Sequence, residues 1–203
     1  MTPTRRYFDR RARALDRRYV GGSAGRPLRG GPLAGRELAV SVARRLGGPR
    51  VLDLGCGSGR VAEAVLAAGA AAYVGVDLSP RMLELARDRL RGFDDVELRE
   101  GAIPNLDLAG TFELVLALGL FEYLDEPART VEWIRDRCSS MLVASFTRWD
   151  WFKGPPRHLH YGLHRCRVAD YTEDGAAALL AVGGFSQVEF PVRGRRGFIV
   201  TAV

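Results

Sequence analysis

The sequence predicts an α/β fold, a mostly parallel, doubly wound sheet with helices on both faces, and three observations point to it. From residue 50 onward, short apolar segments alternate with segments of helical periodicity. Two segments, Val51–Leu54 and Leu114–Leu118, are apolar without alternation apart from Asp53, as expected of central parallel strands covered on both faces. The first runs into Gly55-Cys56-Gly57-Ser58-Gly59, and residues without a Cβ let the chain take positive φ and let a ligand rest against bare backbone.

In order, residues 3 to about 20 carry Phe8, Ala12, Leu15 and Tyr19 at helical spacing with arginines on the other faces, an amphipathic N-terminal cap that must dock. Residues 21–31 (GGSAGRPLRGG) read as a flexible connector, and Leu33–Leu46 as a helix closed by Gly47-Gly48-Pro49. Strand 51–54, helix 60–68, strand 73–76, helix 80–91, strands 96–100 and 113–118, helix 127–137 and strand 140–146 follow. The helix at 80 is the best marked: Ser79 is its N-cap, Pro80 its first residue, and Met82, Leu83, Ala86 and Leu90 share a face. After 146 the pattern breaks into a run rich in aromatics, Pro and His. A helix at 173–182 and strands 185–192 and 196–203 close the pattern, the strands as an antiparallel hairpin through Arg193-Gly194. The expected organisation is 1–32 as N-terminal helix and connector, and 33–203 as one ligand-binding domain with a lid insertion at 147–170.

A chain of 203 residues fits one domain that buries roughly 70% of its extended-chain surface. Cys56, Cys138 and Cys166 are isolated, so no disulfide framework, zinc pattern or other metal site is expected. No apolar run approaches the ~20 residues of a membrane span, and the Arg-rich start lacks the apolar core of a signal peptide. A cytoplasmic protein with no membrane partner is expected, its oligomeric state open. The net charge of +6 is concentrated in Arg5, Arg6, Arg10, Arg11, Arg13, Arg17 and Arg18 and in Arg193, Arg195 and Arg196. A solvated basic face is the favoured explanation. A nucleic-acid partner is possible but not favoured, because no strand interleaves aromatics with these arginines.

Ligands of open α/β sheets bind outside the carboxyl ends of the strands, where the glycine turn lies. A dinucleotide fingerprint would need glycine where Arg60 stands, so the spacing is G-x-G-x-G. Asp77 ends the next strand, where a carboxylate can accept hydrogen bonds from both hydroxyls of an unphosphorylated ribose. With VLDLGCGSGR at 51–60, VGVDLSPRMLELAR at 74–87 and FELVLALGLFEYL at 112–124, the chain resembles the class I, Rossmann-like S-adenosylmethionine-dependent methyltransferases.

The resemblance covers about residues 40–203 and implies a seven-stranded sheet with an antiparallel last strand, S-adenosylmethionine as cofactor and S-adenosylhomocysteine as product. It implies cofactor contacts from Asp53 and the turn residues Gly55, Cys56, Gly57 and Gly59, from Asp77 on the ribose, and from Leu78 and Met82 beside the adenine. Leu118 is expected beside the sulfonium region. Ala102 stands where relatives often carry an acid toward adenine, so Ala102 and Ile103 are expected to hold it by backbone or apolar contact. Glu113 stands where Asp is usual. The N/D-P-P-Y signature of many amino-group nucleic-acid methyltransferases is absent.

Cys56 has no partner to activate it and reads as a small turn residue. The segment Trp149–Arg167 holds His158, His160 and His164 with Tyr161 and two tryptophans, in the usual lid position, so the methyl acceptor is expected there. His158 and His160 are the candidate bases, with Tyr123 and Glu122 as the alternative acid–base pair. The first helix either closes over the cofactor, with Tyr7 or Tyr19 touching it, or simply docks by its apolar stripe. The function expected is methyl transfer to an O, N or C atom of a small molecule. The competing readings are a protein that binds the cofactor without methylating, a nicotinamide oxidoreductase and an RNA methyltransferase.

Overall fold

In the computed structural model, which describes residues 2–20, 32–152 and 154–203, helices α1 (Pro3–Val20) and α2 (Pro32–Leu46) precede the sheet. Next come β1 (Arg50–Leu54), α3 (Arg60–Ala67), β2 (Ala72–Asp77), α4 (Pro80–Arg89), β3 (Val96–Glu100), β4 (Phe112–Ala117), a 3-10 turn (Phe121–Tyr123), α5 (Pro127–Arg135) and β5 (Cys138–Thr147). The remaining elements are α6 (Gly154–Leu163), α7 (Glu173–Val182), β6 (Val188–Gly194) and β7 (Gly197–Ala202). All seven strands form one sheet in the order β3-β2-β1-β4-β5-β7-β6. Strands β1 to β5 pair in parallel, whereas β7 runs antiparallel to both β5 and β6. The seven-stranded sheet with an antiparallel last strand is therefore the observed architecture.

Strands β1 and β4 lie at the centre, their apolar residues buried on both faces. Val51, Leu52, Leu54, Leu114, Val115 and Leu116 are all inaccessible to solvent, and each such side chain contributes about 1.5–3 kcal/mol on burial. One face of the sheet packs on α2, α3 and α4 through Ala39, Val42, Val65 and Leu83; the other packs on α5 and α7 through Ile134, Ala176 and Leu180. Strand order reverses between β1 and β4, which opens a crevice at their carboxyl ends.

Two local expectations are corrected. The hairpin turns through Arg195-Arg196, because Gly194 pairs with Gly197 and so belongs to the ladder. Gly197 is needed inside β7, where a Cβ would lie 2.4 Å from the Phe146 carbonyl oxygen. The second correction is α6, a helix in the segment where no periodicity was read. Pro155 and Pro156 disguise it in sequence but fall in its first turn, where a missing N–H costs no intrahelical bond.

Candidate functional site

Gly55, Gly57 and Gly59 take left-handed φ values of 75°, 55° and 76°. Their surroundings give them different tasks. A Cβ on Gly57 would meet nothing within 4 Å, so a ligand can approach there, whereas one on Gly59 would lie 3.2 Å from the Ala86 Cβ, in the packing of the turn against α4. The turn is tied to the end of β2: Gly55 and Cys56 N–H donate to the Val76 carbonyl at 2.8 and 3.0 Å. Gly57 N–H donates to one oxygen of Asp77 at 2.9 Å, and Ser79 N–H to the other at 2.8 Å. Each Asp77 oxygen keeps a second acceptor position, which is what two adjacent hydroxyls require. Burial pushes the Asp77 carboxyl up, against the lowering effect of these N–H bonds.

Asp53 lies below the turn, buried, and accepts a 2.7 Å hydrogen bond from the Tyr73 hydroxyl. Burial, reinforced by the charge of Asp77 and opposed by the Tyr73 bond, pushes it up to about 7. The Cys56 thiol is also buried and pushed up, first by burial and then by the charges of Asp53 and Asp77, so it packs as a neutral group. Met82 is buried in the first turn of α4, its N–H capped by Ser79 Oγ at 3.2 Å, and Leu78 is half-buried before it. Gly101 N–H donates to the Asp77 carbonyl at 3.1 Å, which brings the exit of β3 beside β2; Ala102 is exposed there and Ile103 half-buried. Leu118, just past β4, is half-buried against Gly35 of α2. Glu113 is at the opposite, amino end of the sheet, accepting from Arg50 N–H at 2.8 Å, so its extra methylene has no bearing on the crevice.

Helix α1 straps over this crevice through two carboxylates that the sequence reading passed over. Asp9 accepts from Ser79 Oγ at 3.0 Å and Arg81 N–H at 3.1 Å. Asp16, two turns on along the same face, accepts from Ser58 Oγ at 2.6 Å, Arg60 Nε at 2.7 Å and an Arg89 guanidinium nitrogen at 3.0 Å. Burial raises the Asp16 carboxyl, but the hydrogen bonds from Arg60 and Ser58 and the charges of Arg60 and Arg89 outweigh it and hold the group below its ordinary range. The available signal was that Asp9 and Asp16 are the only acids in an Arg-rich helix. The side chain of Tyr19 lies outside the described residues.

A family model described as a methyltransferase domain matches residues 51–139, from the first strand to the start of the fifth. Residues 51–139, which hold the glycine turn and Asp77, are thus similar to a methyltransferase domain. Among curated relatives, the ubiquinone biosynthesis O-methyltransferase of Bordetella pertussis is 36% identical over 95 residues, covering 44% of this chain and 38% of that one. The malonyl-[acyl-carrier protein] O-methyltransferase of Halalkalibacterium halodurans is 32% identical over 90 residues, covering 42% and 33%. The chain thus spans well under half the length of these relatives. The fold matches a magnesium protoporphyrin IX methyltransferase from Synechocystis with bound S-adenosylhomocysteine, at TM-score 0.71, 21% identity and coverage of 98% and 96%. It also matches the N-methyltransferase NodS of Bradyrhizobium japonicum in complex with S-adenosylhomocysteine, at TM-score 0.73, 14% identity and coverage of 99% and 98%.

In this class I methyltransferase fold, α6 joins the carboxyl end of β4 to α1. The hydroxyls of Tyr161 on α6 and Tyr123 in the 3-10 turn are 3.0 Å apart, and Tyr7 of α1 bonds His160 Nε2 at 3.2 Å. Phe8 of α1 meets Tyr123 edge-on, with ring centroids 5.0 Å apart. The three histidines do not converge. His158 bonds Asp170 on one side of α6, whereas His160 and His164 turn toward Tyr7 and Arg11 of α1. Behind them Arg157 pairs with Asp170 at 2.9 Å and approaches Glu122 at 3.7 Å, and Glu122 also accepts from Thr147 Oγ1 at 3.0 Å. Burial pushes Glu122 up despite the Arg157 charge and the Thr147 bond. Tyr123 is pushed far above the ordinary phenol range, by burial first and then by Glu122, and burial pushes Tyr161 up to about 12. Both phenols stay protonated at neutral pH, and in their mutual hydrogen bond one donates and the other accepts. No group of His, Cys, Asp and Glu among the described residues is arranged to hold a metal ion.

Proposed function

We propose that this protein transfers the methyl group of S-adenosylmethionine to an O, N or C atom of a small-molecule acceptor. The observation that carries the reading is the open left-handed Gly57 beside Asp77, whose two oxygens each keep an acceptor position for a ribose hydroxyl. These residues fit the cofactor: Asp77 would hold the ribose, the turn the amino-acid part, and Leu78, Met82, Ala102 and Ile103 the adenine. Bound there, S-adenosylmethionine supplies an already activated methyl group, so the protein has mainly to orient the acceptor and exclude water. Helix α1 and α6 supply the exclusion. His158 is the base we assign to acceptors that lose a proton: with Nε2 hydrogen-bonded to Asp170, its Nδ1 is the nitrogen left to accept one. Tyr123 and His160 orient the acceptor from the other side of α6. The O-methyltransferase names of the curated relatives support an oxygen acceptor.

The test is formation of S-adenosylhomocysteine from S-adenosylmethionine with panels of phenols, carboxylates and amines, followed by mass analysis of the acceptor. A folded protein that fails to bind S-adenosylhomocysteine in calorimetry would refute the reading. His158→Ala should lower turnover with a phenol more than cofactor affinity, and unchanged turnover would move the base elsewhere.

A further inference from the structure

The crevice accounts for the inner faces of α1 and α6, but not for their outer ones. Arg6, Arg10, Arg13 and Arg17 recur at helical spacing along α1, are all exposed, and pair with no carboxylate among the described residues. Beside them α6 exposes Leu159 and Leu163, 66% and 75% accessible, one turn apart. The turn leading into α6 exposes Trp151 and Phe152, at 83% and 80%. Pro155 and Pro156, also exposed, lie between the two in the chain. Tyr7 with His160 and Arg11 with His164 join α1 to α6, so the helix that carries the arginine stripe packs on the helix that carries Leu159 and Leu163.

We propose that this combined face docks the protein on an anionic lipid bilayer. Large exposed Trp, Phe and Leu side chains next to a row of arginines are what the boundary between headgroups and acyl chains accepts: the apolar groups insert and the guanidiniums meet anionic headgroups. Attachment is peripheral, since no described helix is long and apolar enough to cross a membrane. RNA would use the arginines but leave Leu159, Leu163 and the prolines without a partner, because bases stack on aromatic rings and not on aliphatic chains. A second copy joined face to face would cover the apolar surface only by bringing two arginine stripes together. The inference is independent of methyl transfer, and either can fail without the other.

The experiment is co-sedimentation of the full chain with vesicles of phosphatidylglycerol and phosphatidylcholine, compared with phosphatidylcholine alone. Binding is expected to the anionic vesicles, with a blue shift of tryptophan fluorescence, and should be largely lost at about 0.5 M salt. Trp151→Ser with Phe152→Ser, and separately Arg10→Ser with Arg13→Ser, should each weaken it by about tenfold or more at an unchanged melting temperature. The proposal is overturned if the folded protein ignores anionic vesicles or if the variants bind as the parent does. It is also overturned if Leu159→Ser dissolves a dimer that does not bind vesicles, or if an RNA duplex or single strand binds where vesicles do not.

Discussion

Replacing Asp77 by Asn separates the two tasks assigned to its carboxylate. The amide keeps one acceptor oxygen and turns an NH2 toward the N–H of either Gly57 or Ser79, which sit 2.9 and 2.8 Å from the native oxygens. One buried N–H then loses its partner, a cost of about 1–3 kcal/mol to the fold, reduced because burial already pushes the carboxyl up and its charge is removed. That term falls on the protein with and without ligand. Binding loses in addition the charge-assisted hydrogen bonds to the ribose, about 1.5–3 kcal/mol, and each ~1.4 kcal/mol is a factor of ten. Calorimetric titration with S-adenosylhomocysteine should therefore show affinity reduced by at least about tenfold, alongside a lower melting temperature. A folded variant with the parent's affinity would refute the ribose assignment, whatever its stability.

Other predictions follow from the same neighbourhood. Asp53 titrates at about 7 in the fold and at the ordinary carboxyl value when unfolded, so between about pH 4 and 7 the folded state holds the extra proton and stability falls as pH rises. Asp53→Asn keeps an acceptor for Tyr73 and should gain on the parent by about 1 kcal/mol or more between pH 5 and pH 8, read from denaturant midpoints; parallel pH profiles would refute this. Asp16→Ala removes the common acceptor of Ser58, Arg60 and Arg89 and should cost about 1.5–3 kcal/mol while speeding release of S-adenosylhomocysteine, measurable by stopped flow. The Asp16 carboxyl is held below its ordinary range, so its contribution is present above the unfolded pKa and lost as pH falls through the folded one. Gly59→Ala places a Cβ 3.2 Å from Ala86 on a backbone at φ 76° and should destabilise by about 1–3 kcal/mol; an unchanged melting temperature would count against the packing role.

What the sequence by itself determined is local. The apolarity of Leu114–Leu118, and of Val51–Leu54 apart from Asp53, marked the sheet centre because strands buried on both faces admit few polar side chains. Three glycines after the first strand marked the turn because only glycine takes those φ values cheaply, and Asp77 fell at the next strand end, within one βαβ unit. The carboxylates that tie α1 to the crevice were not legible, since Asp16 meets partners 42 to 73 residues away. Nor was the divergence of His158 and His160: adjacent in composition, they lie two residues apart on a helix hidden by Pro155 and Pro156, and helical geometry sends them to opposite partners, Asp170 and Tyr7. Side chains that meet only when distant segments pack leave no periodic trace in the chain, so the contacts that hold the strap and the lid were decided by the tertiary structure alone.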